Sequence, residues 1–324
     1  MLFDRLTSIM KNNILNILQN ITGPISGEIL GKELGITRVA VWKHIQGLIS
    51  LGYNIETSSE GYFLLEPGDF LYPWEFNLND YDIIFQNILN STMDEAKRKI
   101  YLQKDAHMVF ISDRQTAGRG RMGRIWESQY GGLYFTVNIK QKIPSGLLWR
   151  YSIAAVTALA EVLNEHYGML ASVKWPNDVF ATDGKIAGVL VDTQISGDMA
   201  EWINIGIGLN VNNHPLEEKA VSMKGLTGKT FFRKEILSFF IHYFNDYLKT
   251  PFLENAISKW KTMSKTLGQR VIMHTHIGDK FSGTALDIDE NGGLMVKGND
   301  GKIKSFLHAD CFYAGNDNNK AMIG

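Results

Sequence analysis

Two stretches of this chain combine fixed positive charge with backbone able to come close to a ligand. The first is Gly118-Arg119-Gly120-Arg121-Met122-Gly123-Arg124-Ile125-Trp126. Its three glycines let the main chain approach a bound group, and its three arginines carry charge that does not titrate away. Such a loop suits phosphate or carboxylate. A flexible RNA-binding tract is the alternative, against which stand the apolar strand Val109-Phe110-Ile111 before the loop and the alternating strand after Gly132. The second stretch is Lys174-Trp175-Pro176-Asn177-Asp178, followed by Lys185-Ile186-Ala187-Gly188-Val189-Leu190-Val191-Asp192. Here a polar turn joins two strands. Asn177 and Asp178 offer oxygens to a triphosphate and its Mg²⁺, and Lys185 can neutralise an anion forming nearby. An ordinary Pro-Asn-Asp turn beside a solvated lysine is the plainer alternative.

A third segment, Asn204 to Asn212, sets Gly206 and Gly208 inside a strand. Glycine weakens a strand unless another group must approach it closely, and a ligand is a plausible such group. A fourth, Ser91-Thr92-Met93-Asp94, has the form of a helix-capping box. No disulfide framework or cysteine-rich zinc site is available, because Cys311 is the only cysteine, and this fits a reducing cytoplasm. The formal net charge of -1 means that any contact with nucleic acid must come from a local basic face. Asp4 and Arg5 interrupt any N-terminal signal, and the most apolar helical stretch, Tyr151 to Leu163, is shorter than the roughly 20 residues that cross a bilayer. A cytoplasmic protein without a membrane partner is expected.

The elements that must position these residues follow from periodicity. Residues 1–66 read as a winged helix-turn-helix. A first helix carries Leu6, Ile9, Ile14, Ile17 and Leu18 on one side and stops near Gly23-Pro24. Ser26 caps a second helix that ends at Gly35, and a third begins at Thr37. Val41, Ile45 and Leu48 of the third helix face inward by helical spacing, which leaves Arg38, Trp42, Lys43 and Gln46 outward and able to read DNA. A small helical packing module is the alternative; the hairpin wing predicted from Tyr53-Asn54-Ile55 and Tyr62 to Leu65 argues against it. Residues 67–80 read as a linker packed partly on the next domain. Residues 81–266 mix strands with long apolar-faced helices near 148–166 and 233–248, an α+β body. Residues 267–324 read as short strands between glycine turns, a small β-barrel, with a tail from Asn316 to Gly324 polar enough to fray.

Together the four segments, in this order, resemble the biotin protein ligases, and Thr37-Arg38-Val39-Ala40-Val41-Trp42-Lys43-His44-Ile45 is similar to the helix-turn-helix of the bifunctional ligase-repressors of that family. The resemblance implies a class II aminoacyl-tRNA synthetase-like central domain and an SH3-like C-terminal module. It implies that biotin and MgATP give biotinyl-5′-AMP and pyrophosphate, and that biotin then passes to one lysine of a biotin carboxyl carrier domain. By the same resemblance Arg121 and Lys185 are catalytic. Ser91, Thr92, Gln115, Gly118, Arg119, Gly120, Arg121, Lys185 and Gly188 bind biotin, and Arg121, Trp126, Asn177, Lys185 and Asn210 bind ATP or the adenylate; no metal ligand is firmly assigned. The adenylate-bound form is expected to be a homodimer on operator DNA of biotin genes. Two departures are present. Met93 stands where many members have asparagine, and the ending His308-Ala309-Asp310-Cys311-Phe312 is not the usual one, so no ATP contact is expected from that module. An enzyme acting on another acid such as lipoate, and a ligand-sensing regulator without turnover, are the rival readings.

Overall fold

The structure, a computed structural model, describes residues 2–78, 80–99, 107–275, 278–307 and 309–313, with side chains from Thr7 onward. The tail from Asn316 to Gly324, His308 and the side chain of Leu6 therefore lie outside the described residues. The chain divides into two units, Met1–Asn79 with Phe232–Glu235, and Asp80–Phe231 with Ile236–Gly324.

In the first unit, helices α1 (Leu2–Gln19), α2 (Gly27–Leu34) and α3 (Arg38–Ser50) precede a hairpin of β1 (Asn54–Thr57) and β2 (Tyr62–Glu66). The caps are local and as expected: Ser26 Oγ accepts from the Ile29 amide and Thr37 Oγ1 from the Ala40 amide, each at 3.2 Å. Gly35 closes α2 in the left-handed region that its missing Cβ allows. Ile14, Leu18, Leu30, Val41, Ile45 and Leu48 form the core. The helix α1 face differs from expectation in that Ile9 is exposed while Leu15 is buried, and α1 stops at Gln19, four residues before Gly23-Pro24. Residues 67–78 pack on this same unit. Phe70, Tyr72 and Trp74 stack in succession against Tyr53, Asn12 Nδ2 donates to the Trp74 carbonyl at 2.6 Å, and Arg233 bonds Asp69 through both its amide and its guanidinium. The sequence placed the packing of this aromatic-rich segment partly on the next domain; the contacts described run to Tyr53 and Asn12 of the first unit, where large rings are buried.

The second unit is built on a sheet of β3 (Tyr81–Leu89), β4 (His107–Gln115), β5 (Leu133–Pro144), β6 (Ala171–Lys174), β7 (Asp178–Ala181), β8 (Gly184–Ser196) and β9 (Met199–Leu209). Its order is β3-β4-β5-β9-β8-β7-β6, antiparallel except for the β3–β4 pair. Helix α4 (Thr92–Lys99) follows β3 and α5 (Leu148–Glu165) follows β5. Side chains opposite each other in register share a face, so Val109, Val137, Ile205 and Val191 line the back, together with Ile111, Phe135, Ile207 and Val189. Phe135 meets Phe240 edge-on there, on α7 (Arg233–Leu248), which follows the short α6 (Met223–Thr227). The run Ser145–Glu165 is 21 residues long and apolar enough to cross a membrane, longer than the stretch read from sequence because a 3-10 turn extends α5. Most of it is buried, its four alanines included, as expected of a core helix.

After α8 (Glu254–Met263) come β10 (Arg270–Thr275), β11 (Lys280–Ile288), β12 (Leu294–Gly298), β13 (Ile303–Phe306) and β14 (Ala309–Tyr313). They pair antiparallel in the order β13-β12-β11-β10-β14, and among the described residues the edge strands β13 and β14 do not pair. The closed barrel expected from the turn spacing is thus an open sheet. A four-residue, mostly exposed β13 offers too short a ladder to close it.

Candidate active site

One row of residues in register crosses the front of the large sheet: Ser112, Tyr134, Gly208, Gly188, Asp178 and Lys174. Two residues along, Phe110, Thr136, Gly206 and Leu190 form the parallel row on the same face. Three of these positions are glycine, so the strand backbone there forms the floor of a trench into which other groups can pack.

The groups that come close to the glycines belong to the protein itself. A Cβ on Gly208 would lie 2.3 Å from Trp126 Nε1 and one on Gly188 would lie 3.0 Å from the same indole. A Cβ on Gly206 would lie 2.6 Å from the Met93 sulfur. The sequence pointed to a close approach; the structure assigns it to Trp126 and Met93, which form a layer between strand backbone and solvent. Met93 is buried, so an apolar residue suits this position. The Trp126 Nε1 is buried against the Gly208 backbone and has no hydrogen-bond partner among the described residues.

One end of the trench is neutral. Gln115 Oε1 accepts from the amide and hydroxyl of Thr92 at 2.8 and 3.2 Å, and Gln115 Nε2 donates to Ser128 Oγ at 2.8 Å. Thr136 Oγ1 donates to Thr92 Oγ1 at 2.9 Å. Ser91, Thr92, Ser128 and Thr136 are all buried. The first amide of α4 is thus bonded by Gln115 from β4. Ser128 and Thr136 carried no signal in the sequence; only the fold brings them to Thr92. Gly118 fits under this end because a Cβ there would lie 2.4 Å from the Trp126 carbonyl.

The other end is charged. Lys185 Nζ pairs with Asp178 Oδ1 at 2.9 Å and sits 5.1 Å from the centre of the Trp126 ring. Arg121 Nη1 donates to Asn177 Oδ1 at 3.4 Å, while Asn177 Nδ2 donates to the Val189 carbonyl. Burial lowers the Arg121 guanidinium's affinity for its proton, and Asp178 and Asp310 act in the opposite direction. The loop that carries Arg121 is ordered by its own hydrogen bonds, from the Gly120 amide to the Arg124 carbonyl and from the Trp126 amide to the Gly118 carbonyl. Met122 and Gly123 both take left-handed backbone conformations at its tip. Arg124 pairs with Asp310 of β14, so the C-terminal sheet reaches the site. Asp178, with the Asn177 amide oxygen, could serve an Mg²⁺ arriving on a nucleotide; no cluster of three or more His, Cys, Asp or Glu side chains that could hold a metal occurs among the described residues.

Arg119 is not gathered with these cations, for it pairs with Asp94 on α4. Asn210 is buried below them, its Oδ1 accepting from Asn213 Nδ2 at 2.9 Å and its carbonyl from the Met223 amide. In the first unit Arg38, Trp42 and Lys43 are exposed and Gln46 is half-buried. Arg38, Trp42 and Gln46 line a groove with Thr57, Ser58 and Ser59 of the wing, while Lys43 lies outside that lining.

Three family models match the chain: an HTH domain over residues 11–63, the Biotin/lipoate A/B protein ligase family over 85–210 and the biotin protein ligase C-terminal domain over 266–313. The chain is 31% identical to the bifunctional ligase/repressor BirA of Bacillus subtilis over 304 residues, 88% of this chain and 93% of that protein. It is likewise 31% identical to the bifunctional ligase/repressor BirA of Escherichia coli over 295 residues, 87% of this chain and 90% of that one. Among solved structures, the biotin protein ligase from Aquifex aeolicus in complex with biotin and ATP matches with a TM-score of 0.60 at 28% identity, covering 72% of this chain and 99% of that chain. With the helix-turn-helix and ligase domain models and relatives of nearly full length in agreement, the chain belongs to the bifunctional biotin protein ligase/repressor family.

Proposed function

We propose that this protein activates biotin with MgATP, transfers it from biotinyl-5′-AMP to a lysine of a biotin carboxyl carrier domain, and represses biotin genes through its helix-turn-helix. The observation that carries the reading is a single trench with a neutral hydrogen-bonding end and a cationic end. Thr136 on β5 and Asp178 on β7 are separated by three strand spacings, roughly 14 Å, so an elongated acid can lie between them. The ureido ring of biotin suits the neutral end, where Thr92, Gln115 and Ser128 offer donors and acceptors without charge. Its carboxylate then points toward Arg121 and Lys185. Two anions must meet when that carboxylate attacks the α-phosphate, and fixed cations offset their repulsion and the charge that grows in the transition state. Trp126 supplies an apolar face for adenine beside Lys185, and Asn177 orients the phosphates. The loop of residues 118–126 closes over the reactive anhydride and keeps water away. Arg119, Gly120 and Asn210 shape this site through the loop and its floor.

We read the large sheet as class II aminoacyl-tRNA synthetase-like and the C-terminal sheet as an open form of the SH3-like module. The match to the biotin protein ligase C-terminal domain favours biotin over lipoate. On the DNA side, Arg38, Trp42 and Gln46 beside the wing are the base- and phosphate-reading set, with Lys43 on the flanking phosphates, in an adenylate-bound homodimer in the cytoplasm. The test is to incubate the protein with MgATP, a carrier domain and either biotin or lipoate. Biotinyl transfer is expected, and lipoyl transfer alone overturns the reading. A gel shift on a biotin-gene promoter, with and without biotin and ATP, tests the repressor half: the shift is expected only with adenylate, and no specific shift at moderate salt removes that half.

A further inference from the structure

The outward face of α3 carries a large apolar group that the described residues leave uncovered. Trp42 is 51% exposed, and Arg38 one turn before it and Gln46 one turn after it stand on the same side of the helix. The core is made by Val41, Ile45 and Leu48 on the opposite side, so the indole is not needed for packing. The side chains of Arg38, Trp42 and Gln46 have no hydrogen bond or ion pair among the described residues, and neither has Lys43, which is exposed beside Trp42. The stem of Arg38 rests on the start of α2, where Gly27 leaves room for it: a Cβ there would lie 3.5 Å from Arg38 Cγ and 3.2 Å from the Tyr62 ring. Ser58 and Ser59 of the wing close the other side of the groove, and among its lining residues Glu28 alone is acidic. An indole standing in water between cations points to an anionic partner that also offers apolar groups.

The major groove of duplex DNA is such a partner, and thymine alone among its bases presents an apolar group there, the 5-methyl. Guanidinium and amide groups read the donors and acceptors of base edges. An indole has a single donor and a broad apolar face, so its gain comes mainly from covering a methyl. We propose that Trp42 reads thymine, packing its indole on the 5-methyl group and so requiring that base at one position of each operator half-site. The inference rests on the repressor reading and deepens it. Because Trp42 is uncharged, it adds nothing to the salt-dependent attraction that Arg38 and Lys43 supply at the phosphates, and its effect is confined to base choice. Gln46 stands one helical turn further along α3, about 6 Å on the axis, and base pairs stack about 3.4 Å apart, so an adenine bonded by its amide lies within about two steps of that thymine.

The base of deoxyuridine differs from that of thymidine by the 5-methyl group alone, so thymines can be tested one at a time. The full-length protein, with biotin and MgATP, is titrated by fluorescence anisotropy onto the shortest duplex of a biotin-gene promoter that it protects, and onto copies in which each thymine in turn is replaced by deoxyuridine. Wild type should lose about fourfold in affinity at one thymine of each half-site and stay within about 1.5-fold at the others. Trp42→Ala should bind the unmodified duplex about tenfold more weakly and bind the thymine and uracil duplexes alike; Trp42→Gln serves where Trp42→Ala does not fold. Trp42→Phe keeps an apolar ring and should keep the preference, and the slope of affinity against salt should be the same in wild type and variants. Wild-type binding that ignores uracil at every position overturns the proposal. So does a methyl preference of equal size in Trp42→Ala, which would then belong to the deformability of the DNA. A specific complex blind to uracil removes only the role of Trp42, whereas a wild type that forms no specific complex on any duplex removes the repressor reading and this proposal with it.

Discussion

The two ends of the trench solve different problems with different groups. At the neutral end Thr92, Gln115, Ser128 and Thr136 are bonded to one another in a buried chain that exists before any ligand arrives. At the charged end Arg124, Lys185 and Arg121 rest on Asp310, Asp178 and Asn177. Phosphates must displace or share those partners. Under the proposed function the two ends divide the work: selectivity by shape and hydrogen bonding is expected of the first, and nucleotide affinity, its dependence on salt and the rate of the chemical step of the second.

The largest expected effect comes from removing charge at the reacting centre. Lys185→Ala should slow adenylate formation by on the order of 100- to 1000-fold with little change in biotin affinity. A parallel loss of biotin binding would show that the two ends are not separable. Gly208→Ala comes next. Its new Cβ would lie 2.3 Å from the Trp126 indole and force it off the floor, so ATP affinity should fall by about 10- to 100-fold. If that variant binds ATP normally, Trp126 is not the face on which adenine rests. Gln115→Ala leaves the buried Thr92 and Ser128 groups without their partner, and biotin affinity should drop by about tenfold while the ATP requirement holds. Titration calorimetry with biotin alone reads this directly. The smallest change is expected from Asp310→Asn, which removes a carboxylate that competes for Arg124 at an exposed site. ATP should bind about two- to threefold more tightly and become less sensitive to salt. Weaker ATP binding would instead identify the pair as a latch that positions the loop.

Where the signal was local, the chain declared it. Ser26 and Thr37 cap their helices because a side-chain oxygen and an amide three residues on always meet when a helix begins there, and Gly35 ends α2 because a left-handed turn requires no more than its own backbone. The glycine–arginine loop, Lys185 and the Gly206-Ile207-Gly208 strand were likewise legible, for their residue types limit what the chain can do at those positions. The surface on which Phe70, Tyr72 and Trp74 pack was not, since their aromatic composition calls for burial without naming Tyr53 of the preceding unit over the next domain.

By itself, then, the sequence determined the three N-terminal helices and the two long helices of the central body, which residues carry charge that a phosphate would need, and where glycine makes room. Only the tertiary structure decided what fills that room and which charges stand together: Trp126 and Met93 over the glycines, Arg119 turned to Asp94 and away from the cationic end, Asp310 reaching the loop, and Lys174 at the end of a register row. Strand register and the approach of a separate sheet bring together residues far apart in the chain, and no spacing along one chain encodes such neighbours.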